Sequence, residues 1–171
     1  MNTTVVVRPV TEADADSLGR VHAACWHETY DHLLSQATLA QLHPARFSAM
    51  WRRFTVQGPD FRQVVAEVDG EIVGFAGSGP GRDEGNPTDH ELYFIYLLDA
   101  FHGTGIGQRL FDAVVDPGPT YLWVAEDNPR AHRFYARNGY RPDGVEKTEQ
   151  ILGESIHEVR LVRELHLLPG Q

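Results

Sequence analysis

Phe101-His102-Gly103-Thr104-Gly105-Ile106-Gly107 sets three glycines at alternate positions, between a very apolar run and an amphipathic stretch. Glycine has no Cβ, so such a turn lets the backbone approach a ligand closely. The first N–H groups of a helix lack internal partners and carry partial positive charge, so a pyrophosphate is well placed there. The pattern is not a dinucleotide fingerprint. That would need glycine at 108 or 110, where Gln108 and Leu110 stand. From spacing alone the turn either holds phosphate or is a glycine-rich helix entry that binds nothing.

Three further groups of residues bear on chemistry. Asn128-Pro129 opens an amphipathic stretch holding Ala131, Phe134 and Tyr135, followed by Asn138-Gly139-Tyr140. Taken alone, Phe134 and Tyr135 read as core, with the Tyr135 hydroxyl on a backbone carbonyl. Glu91 begins the most apolar run, and strand alternation puts it on one face with Tyr93 and Ile95. Trp26 and Tyr30 stand four apart on an early helix, in a spacing that also suits plain packing.

Other chemistries are excluded. Lys147 is the only lysine, which removes the lysine phosphate loop. Cys25 is the only cysteine, so no intrachain disulfide forms. On the stripe expected to be buried, it makes a poor acyl carrier. Nine histidines invite a metal, yet His22, His27 and His32 are spaced by five, not the three or four of helical ligands. No metal is expected. Around Ser78, Ala76 and Pro80 replace the glycines of a nucleophile elbow.

The elements that must position these groups follow from periodicity and turn chemistry. Residues 3–8 read as a strand. Thr11 to Asp14 has the form of a capping box, and Leu18, Val21, Cys25 and Thr29 form a helical stripe. Pro44 opens a helix with Phe47, Met50, Trp51 and Phe54 on its apolar face. Residues 62–69 and 71–77 flank Asp69-Gly70, a hairpin signal. Residues 79–89 read as a mobile loop, 90–98 as a central strand, 104–115 as a helix and 121–125 as a buried strand. A helix follows Asn128, with Gly139 as its C-terminal cap. Residues 144–151 and 155–165 form a last hairpin around 152–154. The order defines a mixed α/β (α+β) chain, expected to be one domain over residues 1–171.

Fifteen basic against 24 acidic residues leave a formal charge of −9. That balance disfavours nucleic acid and a polybasic membrane contact. No apolar stretch approaches the ~20 residues of a membrane span, and residues 1–8 lack the features of a signal peptide. With a single cysteine, a cytoplasmic location is expected.

Residues 90–107 followed by 121–140 resemble the acetyl-CoA-binding core of the GNAT superfamily of N-acetyltransferases. The family's turn is Arg/Gln-x-x-Gly-x-Gly/Ala; here it reads His102-x-x-Gly105-x-Gly107. Asn128, Ala131, Phe134, Tyr135 and Gly139-Tyr140 match in order and spacing, and residues 24–30 are similar to the first helix of many bacterial members. The resemblance implies a mostly antiparallel sheet with a splayed parallel pair, flanked by helices. It implies that Leu97 and Leu98 bond the pantetheine arm through their backbone. The N–H groups of His102, Gly103, Thr104, Gly105, Ile106 and Gly107 would hold the pyrophosphate, and Asn128 would touch the cofactor arm. Tyr135 would protonate the departing thiolate. Glu91 would be either the base or a structural carboxylate. Trp26 and Tyr30, with Tyr93, would border the acceptor.

His102 departs from Arg/Gln, so its side-chain phosphate contact is an open question. The implied activity is transfer of acetyl from acetyl-CoA to a primary amine, on a small molecule or a peptide, by direct attack in a ternary complex. Two alternatives are a non-catalytic acyl-CoA-binding or sensing module on the same fold, and a different nucleotide-phosphate binder. Homodimerisation through the last hairpin is in keeping with the family.

Overall fold

Asp69 and Gly70 turn the chain with φ of +51° and +89°. Two successive residues at positive φ make the tight turn whose twist suits a hairpin. The strands it joins are β2 (Arg62–Val68) and β3 (Glu71–Pro80). In the computed structural model, residues 3–54 and 58–164 are described. The remaining elements are β1 (Val5–Pro9), α1 (Ala15–Tyr30), α2 (Gln36–Gln41), α3 (Pro44–Phe54), β4 (His90–Leu97), α4 (Ile106–Val114), β5 (Thr120–Ala125), α5 (Pro129–Arg137), β6 (Arg141–Ile151) and β7 (Glu154–Arg163). Strand order is β1-β2-β3-β4-β5-β7-β6. β1–β2, β2–β3, β5–β7 and β6–β7 pair antiparallel, and β4–β5 pair parallel with Glu91 opposite Tyr121. The mixed α/β class and the parallel pair expected from sequence are present.

The described residues form two compact units, one reaching to Gly79 and resuming over Tyr93–Val115, the other made of Pro80–Leu92 and the chain from Asp116. In the first, Leu18, Val65, Phe75, Leu110 and Trp51 are buried. Gly19 lets α1 and α3 touch: a Cβ there would lie 2.0 Å from Ser48 Oγ and 2.7 Å from the Pro44 carbonyl oxygen. The expected capping box at Thr11 is present, with Asp14 as its acid, and it opens a 3-10 turn (Glu12–Asp14) leading into α1. Asp14 accepts from the Thr11 N–H (2.8 Å) and hydroxyl (3.0 Å), and from Arg8 Nη1 and Nη2 (both 2.8 Å). Arg8 holds its carboxyl down at about 2, helped by Thr11.

Several expectations need correction. Phe54 is exposed, so the apolar face of α3 ends at Trp51. The short α2, capped by Ser35 Oγ accepting from the Thr38 N–H, was not expected; six residues offer too little periodicity. β3 runs on through Gly79 to Pro80, and residues 81–89 are not a mobile loop but a tied one, as described below. The last hairpin turns at Leu152 and Gly153 (φ +51° and +87°), so β6 begins at Arg141 and β7 at Glu154. β7 ends at Arg163; Leu165, the expected end, lies outside the described residues.

Candidate active site

In the first unit, β4 leads into a 3-10 turn (Asp99–Phe101) and the glycine turn. Gly103 and Gly105 take φ of +75° and +85°, and a Cβ on either would meet nothing within 4 Å. Conformation, not crowding by the protein, therefore demands glycine there, and the space beyond is open. Gly105 is the N-cap of α4 and its carbonyl accepts from the Arg109 N–H (3.2 Å). Among the described residues, no N–H from Gly103 through Gly107 donates to a backbone carbonyl. A run of undirected donors at a helix start is an anion cradle. Thr104 Oγ1 donates back to the Phe101 carbonyl (2.6 Å) and stiffens the turn.

His102 does not reach into that cradle with a spare donor. Its Nε2 donates to the Leu97 carbonyl (2.7 Å), and its Nδ1 stands 3.1 Å from Asp99 Oδ1. Leu98 N–H donates to the Val73 carbonyl (3.0 Å), fixing the end of β4.

Trp26 and Tyr30 come together on α1, with ring centroids 4.8 Å apart. Tyr30 and Tyr96 hydroxyls are 3.0 Å apart, and the Trp26 Nε1 is buried without a hydrogen-bond partner. Tyr93 is not in this group. Strand alternation turns it the other way, toward Gly79 and Phe61, and presents Phe94 and Tyr96 to the aromatic cluster instead. Tyr96 lies on the opposite face of β4 from Tyr93, the face it shares with Phe94. Beneath lies His22, 6% exposed, stacked 3.9 Å from Phe47 and accepting at Nδ1 from Trp51 Nε1 (3.1 Å). Burial drives its pKa down to about 3, so the ring is neutral.

In the second unit, Glu91 is 2% exposed and heavily bonded. Arg82 donates from its backbone N (3.0 Å), Nε (3.1 Å) and Nη2 (2.8 Å), and Tyr121 donates from its hydroxyl (3.1 Å). The same hydroxyl is 2.9 Å from Asn86 Oδ1 and accepts from the Arg82 and Asp83 N–H groups (3.1 and 3.4 Å). Asp83 in turn accepts from Trp123 Nε1 (2.7 Å). Burial, with the charges of Glu91 and Asp83, raises the Tyr121 pKa above the usual phenol range. Sequence reasoning did not bring Arg82, Asn86, Tyr121 and Trp123 together around Glu91 and Asp83, because they meet only through tertiary contact. Lys147, the sole lysine, sits 4.4 Å over the Trp123 ring between Glu149 and Glu158.

Asn128 is the N-cap of α5; its Oδ1 accepts from the Ala131 N–H (3.2 Å), while its Nδ2 donates to no described residue. Tyr135 is 8% exposed, packed edge-on against Phe134 and Tyr140. Gly139, φ +89°, closes the helix, with the Tyr140 N–H on the Tyr135 carbonyl (3.0 Å). Among the described residues no group of three His, Cys, Asp or Glu could hold a metal, and no helix is long and apolar enough to cross a membrane.

A strand, a glycine turn of undirected N–H donors and a helix start together make an anion-binding arrangement. The acetyltransferase (GNAT) family model matches residues 26–140. The chain is 30% identical over 164 residues to the uncharacterized N-acetyltransferase YuaI of Bacillus subtilis, covering 92% of this chain and 91% of that one. Its fold is similar to that of the PaiA N-acetyltransferase of Thermoplasma acidophilum in complex with coenzyme A, with a TM-score of 0.71 at 17% identity over 94% of this chain and 99% of that one. It is also similar to YncA of Salmonella typhimurium with acetyl-CoA, with a TM-score of 0.68 at 14% identity over 97% and 96% of the two chains. The chain belongs to the GNAT family of acetyltransferases and is an acyltransferase.

Proposed function

We propose that the protein moves an acetyl group from acetyl-CoA to a primary amine by direct attack in a ternary complex. The carrying observation is the cradle of unengaged N–H groups over residues 103–107, opened by two glycines at positive φ. It fits a pyrophosphate without any lysine. Acetyl-CoA supplies the activated thioester when bound. The backbone at Leu97 and Leu98 and the Asn128 Nδ2 are the groups we assign to the pantetheine arm. As the carbon–nitrogen bond forms and the carbon–sulfur bond breaks, the Tyr135 hydroxyl gives its proton to the leaving sulfur.

The amine must be neutral to attack, so it gives one proton to solvent first, and the second proton, shed by nitrogen as the amide forms, restores the Tyr135 hydroxyl. The saturated carboxylate of Glu91 favours Glu91 as the anchor of the 81–89 loop over Glu91 as the acceptor of either proton. Trp26 and Tyr30, with Tyr96, are assigned to the acceptor; Tyr93, facing Phe61, is assigned a secondary place there. The acceptor is a small molecule or a peptide. A cytoplasmic location and a homodimer are in keeping with this reading.

Thermal shift with acetyl-CoA, ATP and NAD tests the cradle. A ligand bound only by the native state raises its melting temperature by mass action. Stabilisation by acetyl-CoA and by neither of the others is expected. No shift with acetyl-CoA far above micromolar levels contradicts the reading.

A further inference from the structure

We propose that His102 is a positioning residue for acyl-CoA, acting through Asp99 and the Leu97 carbonyl, and not a phosphate ligand. The inference rests on the acyl-CoA reading above. An imidazole has two ring nitrogens and at most two N–H donors, whereas an arginine has five. Both nitrogens of His102 already have partners within its own turn: Nε2 the Leu97 carbonyl at 2.7 Å, Nδ1 the Asp99 carboxylate at 3.1 Å. No donor remains for a phosphate oxygen.

What the ring does instead is close a small circuit. Leu97 ends β4, Asp99 opens the 3-10 turn, and His102 is the residue at which the cradle begins. The His102 N–H also donates to the Asp99 carbonyl (3.1 Å), so backbone and side chain bind the same residue. The circuit is tied to α1, because the Asp99 N–H donates to Glu28 Oε2 (3.0 Å). The direction of the N–H groups from Gly103 onward is thus set by where His102 is held. The positive-φ glycines that follow have no side chain to hold them. A braced residue just before them keeps the cradle ordered, and that ordering entropy is then not lost on ligand binding.

The test is CoA binding by calorimetry, with acetyl-CoA KM and kcat, for His102→Ala, Asp99→Ala, their double variant, and the conservative His102→Gln and Asp99→Asn. Each alanine variant is expected to weaken CoA by about tenfold, the scale of one hydrogen bond to a charged partner. The double variant should be no weaker than the weaker single, since the two residues act as one unit. KM for acetyl-CoA should rise while kcat at saturation stays within about twofold. Gln and Asn, which keep a donor and an acceptor, should restore most of the affinity. Melting temperatures identify a variant that has failed to fold, and Asp99, with its side chain 49% exposed, can be replaced without opening the core. If Asp99→Ala binds CoA as well as or better than the wild type while His102→Ala binds poorly, the freed ring is a direct ligand and the proposal fails. Unchanged affinity in both alanine variants, or additive losses, overturns it as well. If the unsubstituted protein does not bind CoA, the acyl-CoA reading falls and this inference with it.

Discussion

Tyr135 and Glu91 are both carboxyl- or hydroxyl-bearing candidates for proton transfer, and their surroundings separate them. Tyr135, which we propose as the thiolate acid, sits on α5, held by ring packing and a closed helix end. Tyr135→Phe keeps that packing and removes only the hydroxyl. It should lower kcat by about 10²–10⁴, the usual range for a general acid, with the CoA dissociation constant unchanged. Glu91 is different, because its two oxygens already accept four donors from Arg82 and Tyr121. Glu91→Gln should therefore keep kcat within about tenfold, whereas loss of a working base would remove about 10²–10⁴. A steady-state assay of that one variant assigns the role.

At the scale of the element, the glycine turn and the hairpins are readable because their signals are local. Gly103 and Gly105 must be glycine for their own φ, Asp69-Gly70 for its own turn, and Asn128-Pro129 for its own cap. The stripe of α1 is legible for the same reason, since Leu18, Val21 and Cys25 are all buried. The tie of Arg82, Asn86 and Tyr121 around Glu91 is not legible. It joins residues 30 to 39 positions apart through side chains whose types also suit a solvated loop. The alternation of β4 was readable, but which face met α1 was not: Tyr96 packs near Trp26 and Tyr93 near Phe61. Gly105→Ala tests the turn: a positive-φ alanine costs about 1–2 kcal/mol of backbone strain, so both melting temperature and CoA affinity should fall. Gly19→Ala tests the α1–α3 contact, where overpacking should destabilise by about 1–3 kcal/mol without touching CoA affinity per folded molecule.

For the molecule as a whole, the acidity disfavours long polyanions, and in the function we propose, backbone N–H groups at a helix start take the place of the missing lysines for a single pyrophosphate. Two buried groups make stability fall toward acid pH. His22 is held neutral with its pKa near 3, below its ordinary 6.5, so the unfolded chain binds more protons between those values. Stability is full above about pH 6.5 and falls as pH drops toward 3. Asp14, at about 2 against 3.8, adds stability present above 3.8 that is lost as pH falls through 2. Melting curves from pH 7 to 2.5 should show the decline beginning below about 6.5, with His22→Leu flattening its upper part and Asp14→Asn its lower part.

The central claim is that this chain transfers acetyl from acetyl-CoA to an amine. The most direct measurement is release of free CoA thiol across a panel of polyamines, amino acids, aminoglycosides and peptide N-termini, with mass detection of the N-acetylated product. The account predicts thiol release matched one for one by acetylated amine for at least one class, and strongly reduced in Tyr135→Phe. Tight CoA binding with no amine-dependent thiol release from any class would contradict it and leave an acyl-CoA-binding module.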